Sequence, residues 1–243
     1  MMSTKLSIVA PAFVLIFLVK VSSAGAADIN WVGYQFGPPG GLSNPWGYAS
    51  FFHGDNWLGY NVPVSDDNAI FDTDVDPQNN EMPTSIYFGD VTLPVIPIYH
   101  PVSETIPADD GVINRLFVQK GVFDFYFTDY GLTTTPRGSL TVNDYIVIGG
   151  LRPGGPLVTS AALTVHGIGL IQGPVTPGNG VVVGNSFGAD GHLIIDGIGT
   201  NVTVNDVRIG NFGGTGELKV INGAKLTARS IIGGTKYGSG PLG

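Results

Sequence analysis

A Leu-x-Val or Leu-x-Ile pattern recurs through the second half of this 243-residue chain. It occurs at residues 116–118, 140–142, 163–165, 193–195 and 218–220, at successive spacings of 24, 23, 30 and 25 residues. A hydrophobic residue followed by glycine recurs in step with it, at residues 148–149, 183–184, 209–210 and 232–233. Such short runs cannot bury an apolar face alone, so each must pack against a copy of itself. The pattern therefore predicts a β-solenoid, a single-stranded parallel β-helix with five rungs that span about 25 Å.

Within each Leu-x-Val or Leu-x-Ile pattern, the two apolar residues stand on either side of a middle position whose residue type varies. Leu and Val should therefore point inward while Thr141, Thr164 and Lys219 point outward, because side chains alternate along a strand. The glycine-rich stretch from Gly167 to Gly180 lengthens one repeat and is expected to bulge from a corner as a loop. A Greek-key sandwich is the alternative, since it also has short strands and turns. A sandwich does not require recurring side chains at fixed spacing, which favours the solenoid.

Composition excludes several other classes of protein. The chain has 37 Gly and 17 Pro, and no helical period with caps follows the N-terminal segment, so an all-β class is predicted. Acidic residues outnumber basic ones by 19 to 11, which argues against nucleic acid or an anionic membrane as partner, because both select Lys and Arg. The absence of Cys excludes a disulfide framework, thiol catalysis and a Cys zinc site.

Residues 1–26 have the features of a cleavable signal peptide. A weakly basic start is followed by an apolar run over residues 6–21 and by small side chains at Ala24 and Ala26. Signal peptidase requires small side chains there, so cleavage is expected after Ala26. A retained anchor is the alternative, but the run is shorter than the ~20 residues that a spanning helix needs. We therefore expect a secreted or cell-surface protein that is exported across the inner membrane.

Residues 27–112 differ in composition from the repeats that follow. They contain all three Trp residues (Trp31, Trp46 and Trp57), and Pro recurs from residue 77 to residue 107. Because Pro interrupts sheet ladders, this region is interpreted as an aromatic- and Pro-rich N-terminal β cap that covers one end of the solenoid. An aromatic platform that stacks on sugars is the alternative.

Residues 113–243 form the predicted solenoid. Its last repeat begins at Ile231, and the chain reaches Gly243 before the corresponding Leu-x-Val partner arrives. An incomplete last repeat, of the kind a fragment would have, is therefore expected. It would leave an uncapped edge, fraying from about residue 231 and end-to-end self-association.

Two consecutive runs resemble a known repeat family. Residues 183–200 read VGNSFGADGHLIIDGIGT, and residues 209–224 read IGNFGGTGELKVINGA. They resemble the two alternating units of the type V secretion (autotransporter)/PEP-CTERM-associated repeat, with Thr200 where Ser is usual. Residues 66–71 (DDNAIF), with Trp31 and Trp57 before them, are similar to the start of autotransporter-like surface proteins. The resemblance implies an exported bacterial surface protein whose β-helix serves as passenger or stalk.

Asp72, Asp74 and Asp76 are the best candidates for a cation site. Carboxylates spaced by two could share a hard cation such as Ca²⁺. An EF-hand loop would need Gly after Asp76, where this chain has Pro77. Solvated turn carboxylates around a buried Phe71 are therefore the preferred interpretation, and no metal site is assigned.

The remaining polar residues give no catalytic pattern. The four histidines (His53, His100, His166 and His192) lack the spacing of a zinc site. The run Asp190-Gly191-His192 is too little for a polysaccharide-cleaving β-helix, which groups several acids with a His or Arg on adjacent rungs. Asp206 and Arg208 share a face by parity, and Asp196 could join them, although a surface ion pair is the simpler interpretation. No catalytic, cofactor-binding or metal-binding residue is predicted.

The expected function is structural or adhesive. The solenoid would act as a passenger or stalk without catalysis, with an unidentified surface or carbohydrate ligand as its partner. The alternative is a β-helical carbohydrate-active enzyme, either a polysaccharide lyase or a glycoside hydrolase. An enzyme would need a groove along one face with two carboxylates, or a carboxylate and an Arg, on neighbouring rungs.

Overall fold

The computed structural model describes residues 27–31, 48–51, 57, 61–72, 85–88, 91–93, 104–106, 110–127, 138–150, 160–167, 170–172 and 180–234. All regular structure in these ranges is β, which confirms the predicted all-β class. The strands are β1 Asp28–Asn30, β2 Tyr48–Ser50, β3 Asn68–Asp72, β4 Ser85–Tyr87, β5 Val91–Leu93, β6 Glu104–Ile106, β7 Asp110–Ile113, β8 Arg115–Tyr126, β9 Ser139–Val142, β10 Ile146–Gly150, β11 Ser160–His166, β12 Leu170–Gln172, β13 Gly180–Asn185, β14 Asp190–Asp196, β15 Asn201–Asn211, β16 Thr215–Ile221 and β17 Lys225–Gly233.

The strands pair in three parallel ladders. The first ladder contains β7, β9, β12 and the starts of β15 and β17. The second contains β1, β3, the start of β8, β10, β13 and the ends of β15 and β17. The third contains β2, β4, the end of β8, β11, β14 and β16. Together they form a parallel sheet that curls nearly closed into a barrel-like solenoid, while β5 and β6 pair antiparallel in a separate two-stranded sheet.

Alternation along the strands builds the interior, as the sequence predicts. In β11, Leu163 and Val165 are buried while Thr164 between them is only partly covered. Leu163 pairs with Leu193, and Leu193 pairs with Leu218, so these three leucines form one column of the third ladder. The column belongs to one continuous apolar core that contains residues from all three ladders.

Two of the five Leu-x-Val patterns lie outside this column, which corrects the predicted register. Leu116 lies in the second ladder opposite Ile146, and Leu140 lies in the first ladder opposite Ile171. The residue that precedes Leu163 in its own column is Phe123. Each side of the solenoid needs an apolar-x-apolar pair, so patterns from different sides resemble one another. Their spacings of 24 and 23 residues therefore do not measure one turn.

Two further details of the predicted repeat are also wrong. The stretch from Gly167 to Gly180 contains β12, which pairs with β9 and β15 as a strand of the first ladder. Three residues suffice to fill that position because strands above and below supply the hydrogen bonds. The pair Ile232-Gly233 is shifted by one position, since Gly233 lies opposite Ile209.

Aromatic side chains fill the interior near the N-terminal end of the ladders. Trp31 and Trp57 meet edge to face with ring centroids 5.0 Å apart, and both are buried. Phe71 lies 5.4 Å from Trp31 and 5.4 Å from Phe123, so this cluster joins β1 to the start of the repeats. The two described tryptophans are therefore core residues and offer no exposed platform for a sugar. Trp46 lies outside the described residues.

Tight turns with positive φ close the corners. Asn222 and Gly223 have φ values of 53° and 81°, as expected for an Asn-Gly turn that needs left-handed backbone. Phe212 and Gly213 repeat this geometry one corner earlier, with φ values of 51° and 83°. A Cβ added at Gly223 would lie 2.9 Å from the Ile198 Cγ1, so a substitution there would also require the exposed Ile198 side chain to move.

The last described strands are less buried than the rest. Leu193 and Ile195 are buried as predicted, but Leu218 is only partly buried and Val220 is 41% exposed. The expectation that Val220 would be buried is therefore wrong, although its register opposite Ile195 is correct. Among the described residues, β16 pairs only with β14, so its apolar side chains lack cover on one side.

Candidate functional site

A groove of about 280 Å³ lies on the outer face of the second ladder. Val147 and Val182 are paired opposite each other and form part of its lining. Phe117 continues the same outward row and packs with Ile70 and Val147 in a small apolar cluster separate from the main core. Gly180 also lines the groove and contributes no side chain to it. The outer face therefore carries an apolar recess where the alternation pattern alone predicts a polar surface.

Three arginines lie on or beside the recess. The Arg115 Nε donates to an Asp144 carboxylate oxygen at 2.6 Å, and its guanidinium lies 4.6 Å from the ring centre of Tyr145. Asp206 is buried and accepts two hydrogen bonds from the Arg229 Nη2, at 2.8 and 3.1 Å. The Arg208 guanidinium also lines the groove and has no ion-pair or hydrogen-bond partner within the described part of the chain.

Amide and aromatic groups border one end of the groove. The Asn211 amide donates to the Asn185 carbonyl oxygen at 2.8 Å across neighbouring strands, and both side chains line the groove. Phe212 follows Asn211 in the positive-φ turn, and its ring is 48% exposed. Apolar, aromatic, amide and cationic groups thus converge in one recess, the combination usual in ligand sites.

His192 is the centre of a polar cluster on the third ladder. Its Nδ1 lies 3.1 Å from Glu217 Oε2 on the neighbouring strand, and its Nε2 lies 3.2 Å from Asp190 Oδ2. The Lys219 Nζ donates to the same Glu217 oxygen at 2.8 Å. The hydrogen bond to Glu217 raises the pKa of His192, and the bonds from Lys219 and His192 lower the pKa of Glu217.

These two shifts define a pH window for the cluster. The raised pKa of His192 stabilises the folded state below its ordinary value of 6.5, and this contribution disappears as pH rises through the folded pKa. The lowered pKa of Glu217 stabilises the folded state above its ordinary value of 4.5, and this contribution disappears as pH falls. Both contributions are therefore present between pH 4.5 and 6.5. They are small, because both side chains are largely solvated.

His166 forms a second cluster on the same face. Its Nε2 lies 3.4 Å from Asp124 Oδ1, and its ring stacks on Tyr126 with centroids 4.7 Å apart. The hydrogen bond to His166 lowers the pKa of Asp124, while burial raises the pKa of Tyr126. Tyr87 stacks on the other side of Tyr126 at 5.0 Å, so three rings from successive strands form one column.

Asp206 and Arg208 line the same groove, so their predicted common face is correct, but Asp196 does not join them and, within the described residues, no ion pair links Asp206 to Arg208. Asp196 lies on the third ladder, where its Oδ2 is 3.7 Å from His166 Nδ1 and its Oδ1 accepts a hydrogen bond from Asn222 at 2.6 Å. Asp206 pairs with Arg229 from the following strand rather than with Arg208. The corner between β14 and β15 turns the chain to another side, so parity along the sequence does not carry across it.

The candidate calcium ligands are described only in part. Asp72 is buried at the end of β3, while Asp74 and Asp76 lie outside the described residues, as do His53 and His100. In the ranges that the structure covers, no three His or acidic side chains are grouped as a metal site. No helix in those same ranges is long and apolar enough to cross a membrane.

Sequence reasoning missed the groove for a physical reason. Arg115, Tyr145, Gly180 and Asp206 are far apart in the chain, and only the three-ladder register brings them together. The available signal was adjacent apolar residues at 116–117, 146–148 and 181–183, because strict alternation would have placed a polar residue at every second position. No protein-family model, curated protein or solved structure matches this chain.

Proposed function

We propose that the chain winds as a single-stranded parallel β-helix and serves as an exported structural or adhesive stalk or passenger without catalysis. The order of strands supports the winding, since β9, β10 and β11 occupy the first, second and third ladders in turn. The next three strands repeat that order. A chain that returns to the same side once per turn needs nothing except its own neighbouring turns to complete each ladder.

One observation favours a structural role over catalysis. The ionisable side chains around His192 and His166 form hydrogen bonds with one another across neighbouring strands. A general acid or base must instead reach a proton on a bound substrate, and the described groove lies on a different ladder from both histidines. These contacts join successive turns, which is what a stalk requires.

The alternative is a carbohydrate-active enzyme centred on the cluster around His192. Asp190 and Glu217 lie on neighbouring strands on either side of His192, and such an enzyme needs two carboxylates on neighbouring strands. Such an enzyme also needs a groove along the same face. The described groove does not meet this condition, because it lies on the second ladder.

A polysaccharide digestion panel separates the two functions. The purified chain without residues 1–26 is incubated with neutral and acidic polysaccharides, and new reducing ends and unsaturated products are measured. The variant with His192→Gln and Glu217→Gln serves as the matched control. We expect no products from either protein. Products formed by the unaltered chain and lost in the variant would establish the enzyme.

Export is tested by fusing residues 1–35 to a reporter that becomes active only outside the cytoplasm. We expect reporter activity and a mature N-terminus at Ala27. In the control, Ala24→Asp and Ala26→Asp should prevent processing because signal peptidase excludes charged side chains at these positions. An inactive reporter would refute the export proposal.

A further inference from the structure

We propose that the groove on the second ladder binds one carboxylate-bearing sugar unit, with Arg208 pairing with the carboxylate. This inference rests on the adhesive role proposed above and names the ligand class for it. Nothing in that role by itself selects this face or an acidic sugar.

The size of the groove favours a single ring. Its volume of about 280 Å³ is just below the usual range for ligand pockets, which begins at roughly 300 Å³. The recess is open rather than enclosed, so a ring inside a longer chain could enter it from the side. A surface polymer can therefore be held without a free chain end.

The charges around the groove select an anion. The carboxylates of Asp144 and Asp206 are each paired with an arginine, Arg115 and Arg229 respectively. Arg208 is the cation left over among the described residues of this site. The chain as a whole carries a net charge of −8, so this excess of positive charge at the groove is opposite in sign to the total. A guanidinium presents a planar fork of donors that matches a carboxylate bidentately.

The remaining lining favours a sugar over an acidic peptide. The exposed ring of Phe212 supplies aromatic surface for the C–H face of a sugar ring, whereas the Tyr145 ring already lies against the Arg115 guanidinium. The amides of Asn185 and Asn211 supply groups that pair with ring hydroxyls, and their mutual hydrogen bond fixes their positions in advance. An acidic peptide side chain would use the arginine but would make no use of these amide and aromatic groups.

The experiment uses ligand-observed NMR titration of the mature chain with four probes. D-glucuronate carries both features, its methyl ester and D-glucose lack the charge, and N-acetylglutamate lacks the sugar. We expect saturable binding of glucuronate and binding of the other three that is at least roughly 10-fold weaker, since a charge-assisted hydrogen bond contributes that much or more. Equal binding of glucose, equal binding of N-acetylglutamate, or no binding of glucuronate would each overturn the inference.

Variants locate the site. Arg208→Gln should weaken glucuronate binding roughly 10- to 100-fold by removing the charged partner. Lys225→Gln removes the same charge from the first ladder and should leave binding unchanged. Phe212→Asn removes the aromatic border and keeps a residue that tolerates positive φ, so weaker binding with an unchanged fold is expected. If Arg208→Gln binds as tightly as the unaltered chain, the assigned groove is wrong.

One further measurement distinguishes failure of this inference from failure of the proposed function. The unaltered chain is incubated with a glucuronate-containing hyaluronan tetrasaccharide, and the same spectra report both binding and cleavage. Bound and intact tetrasaccharide supports both proposals. Shorter fragments would overturn the non-catalytic function, whereas an intact tetrasaccharide without binding would overturn only the groove.

Discussion

Leu193→Ala should destabilise the protein by about 2–5 kcal/mol. Leu193 is 3% exposed and lies between Leu163 and Leu218 in the third ladder, so the structure can close over the vacated space only partly. The substitution removes three carbon atoms at about 0.8 kcal/mol each, which accounts for about 2.4 kcal/mol of this cost. The unfilled cavity adds the remainder. Urea denaturation followed by circular dichroism measures the change in the free energy of unfolding.

The same substitution at Leu218 is the matched comparison. Leu218 lies in the same column but is only partly buried, because β16 has no further partner among the described residues. Its cost should be lower, roughly 1 kcal/mol, because part of the side chain remains in water in the folded state. Hydrogen exchange of the β14 and β16 amides should show the same order locally. Equal costs at Leu193 and Leu218 would refute the stacked-column reasoning.

Three further predictions follow from local geometry. Gly223→Val should lower the melting temperature because φ is 81° there, whereas Lys225→Ala, an exposed strand position nearby, should not; equal shifts would contradict the turn argument. Arg229→Met should cost roughly 1–3 kcal/mol in urea denaturation, because it deprives the buried Asp206 carboxylate of its bidentate partner, and a neutral result would mean that other groups suffice. Between pH 5 and pH 8, His192→Gln should flatten the fall in stability with rising pH, and an unchanged pH profile would show that His192 does not contribute.

The features that depend only on residues close together in the chain were predictable from sequence. Period-two alternation placed Leu163, Val165, Leu193 and Ile195 inside, and Asn222-Gly223 indicated a positive-φ turn. Both signals are complete within a few residues, because strand alternation and turn sterics act locally. The pairing of Leu163 with Leu193 also followed from the recurring Leu-x-Val pattern, even though the stretch that contains β12 lengthens that repeat to 30 residues.

The assignment of patterns to sides of the solenoid was not predictable in the same way. Leu116, Leu140 and Leu163 carry nearly the same motif, yet the three lie in the second, first and third ladders. Every side imposes the same inward apolar requirement, so the motif reports burial without reporting the side. The segment that connects two strands determines which ladder the next strand joins, and these connecting segments differ in length along the chain. The Asn205 position separates two ladders within β15, whereas longer segments separate β10 from β11.

The pairing of outward side chains between neighbouring strands decides which face of the molecule can bind a ligand. Parallel stacking brings outward residues of successive turns to within about 4.8 Å of each other, so any charged residue meets the outward residue of the next turn. On the third ladder the encounters are complementary, as between His192 and Glu217, and they cancel charge. On the second ladder Val182 stands opposite Arg208, which leaves the guanidinium beside an apolar row instead of a carboxylate. Substitutions on the third ladder should therefore change stability and its pH dependence, while Arg208 substitutions should change ligand binding with little effect on unfolding. A large loss of stability in Arg208→Gln would mean that this side chain, too, serves only to join the turns.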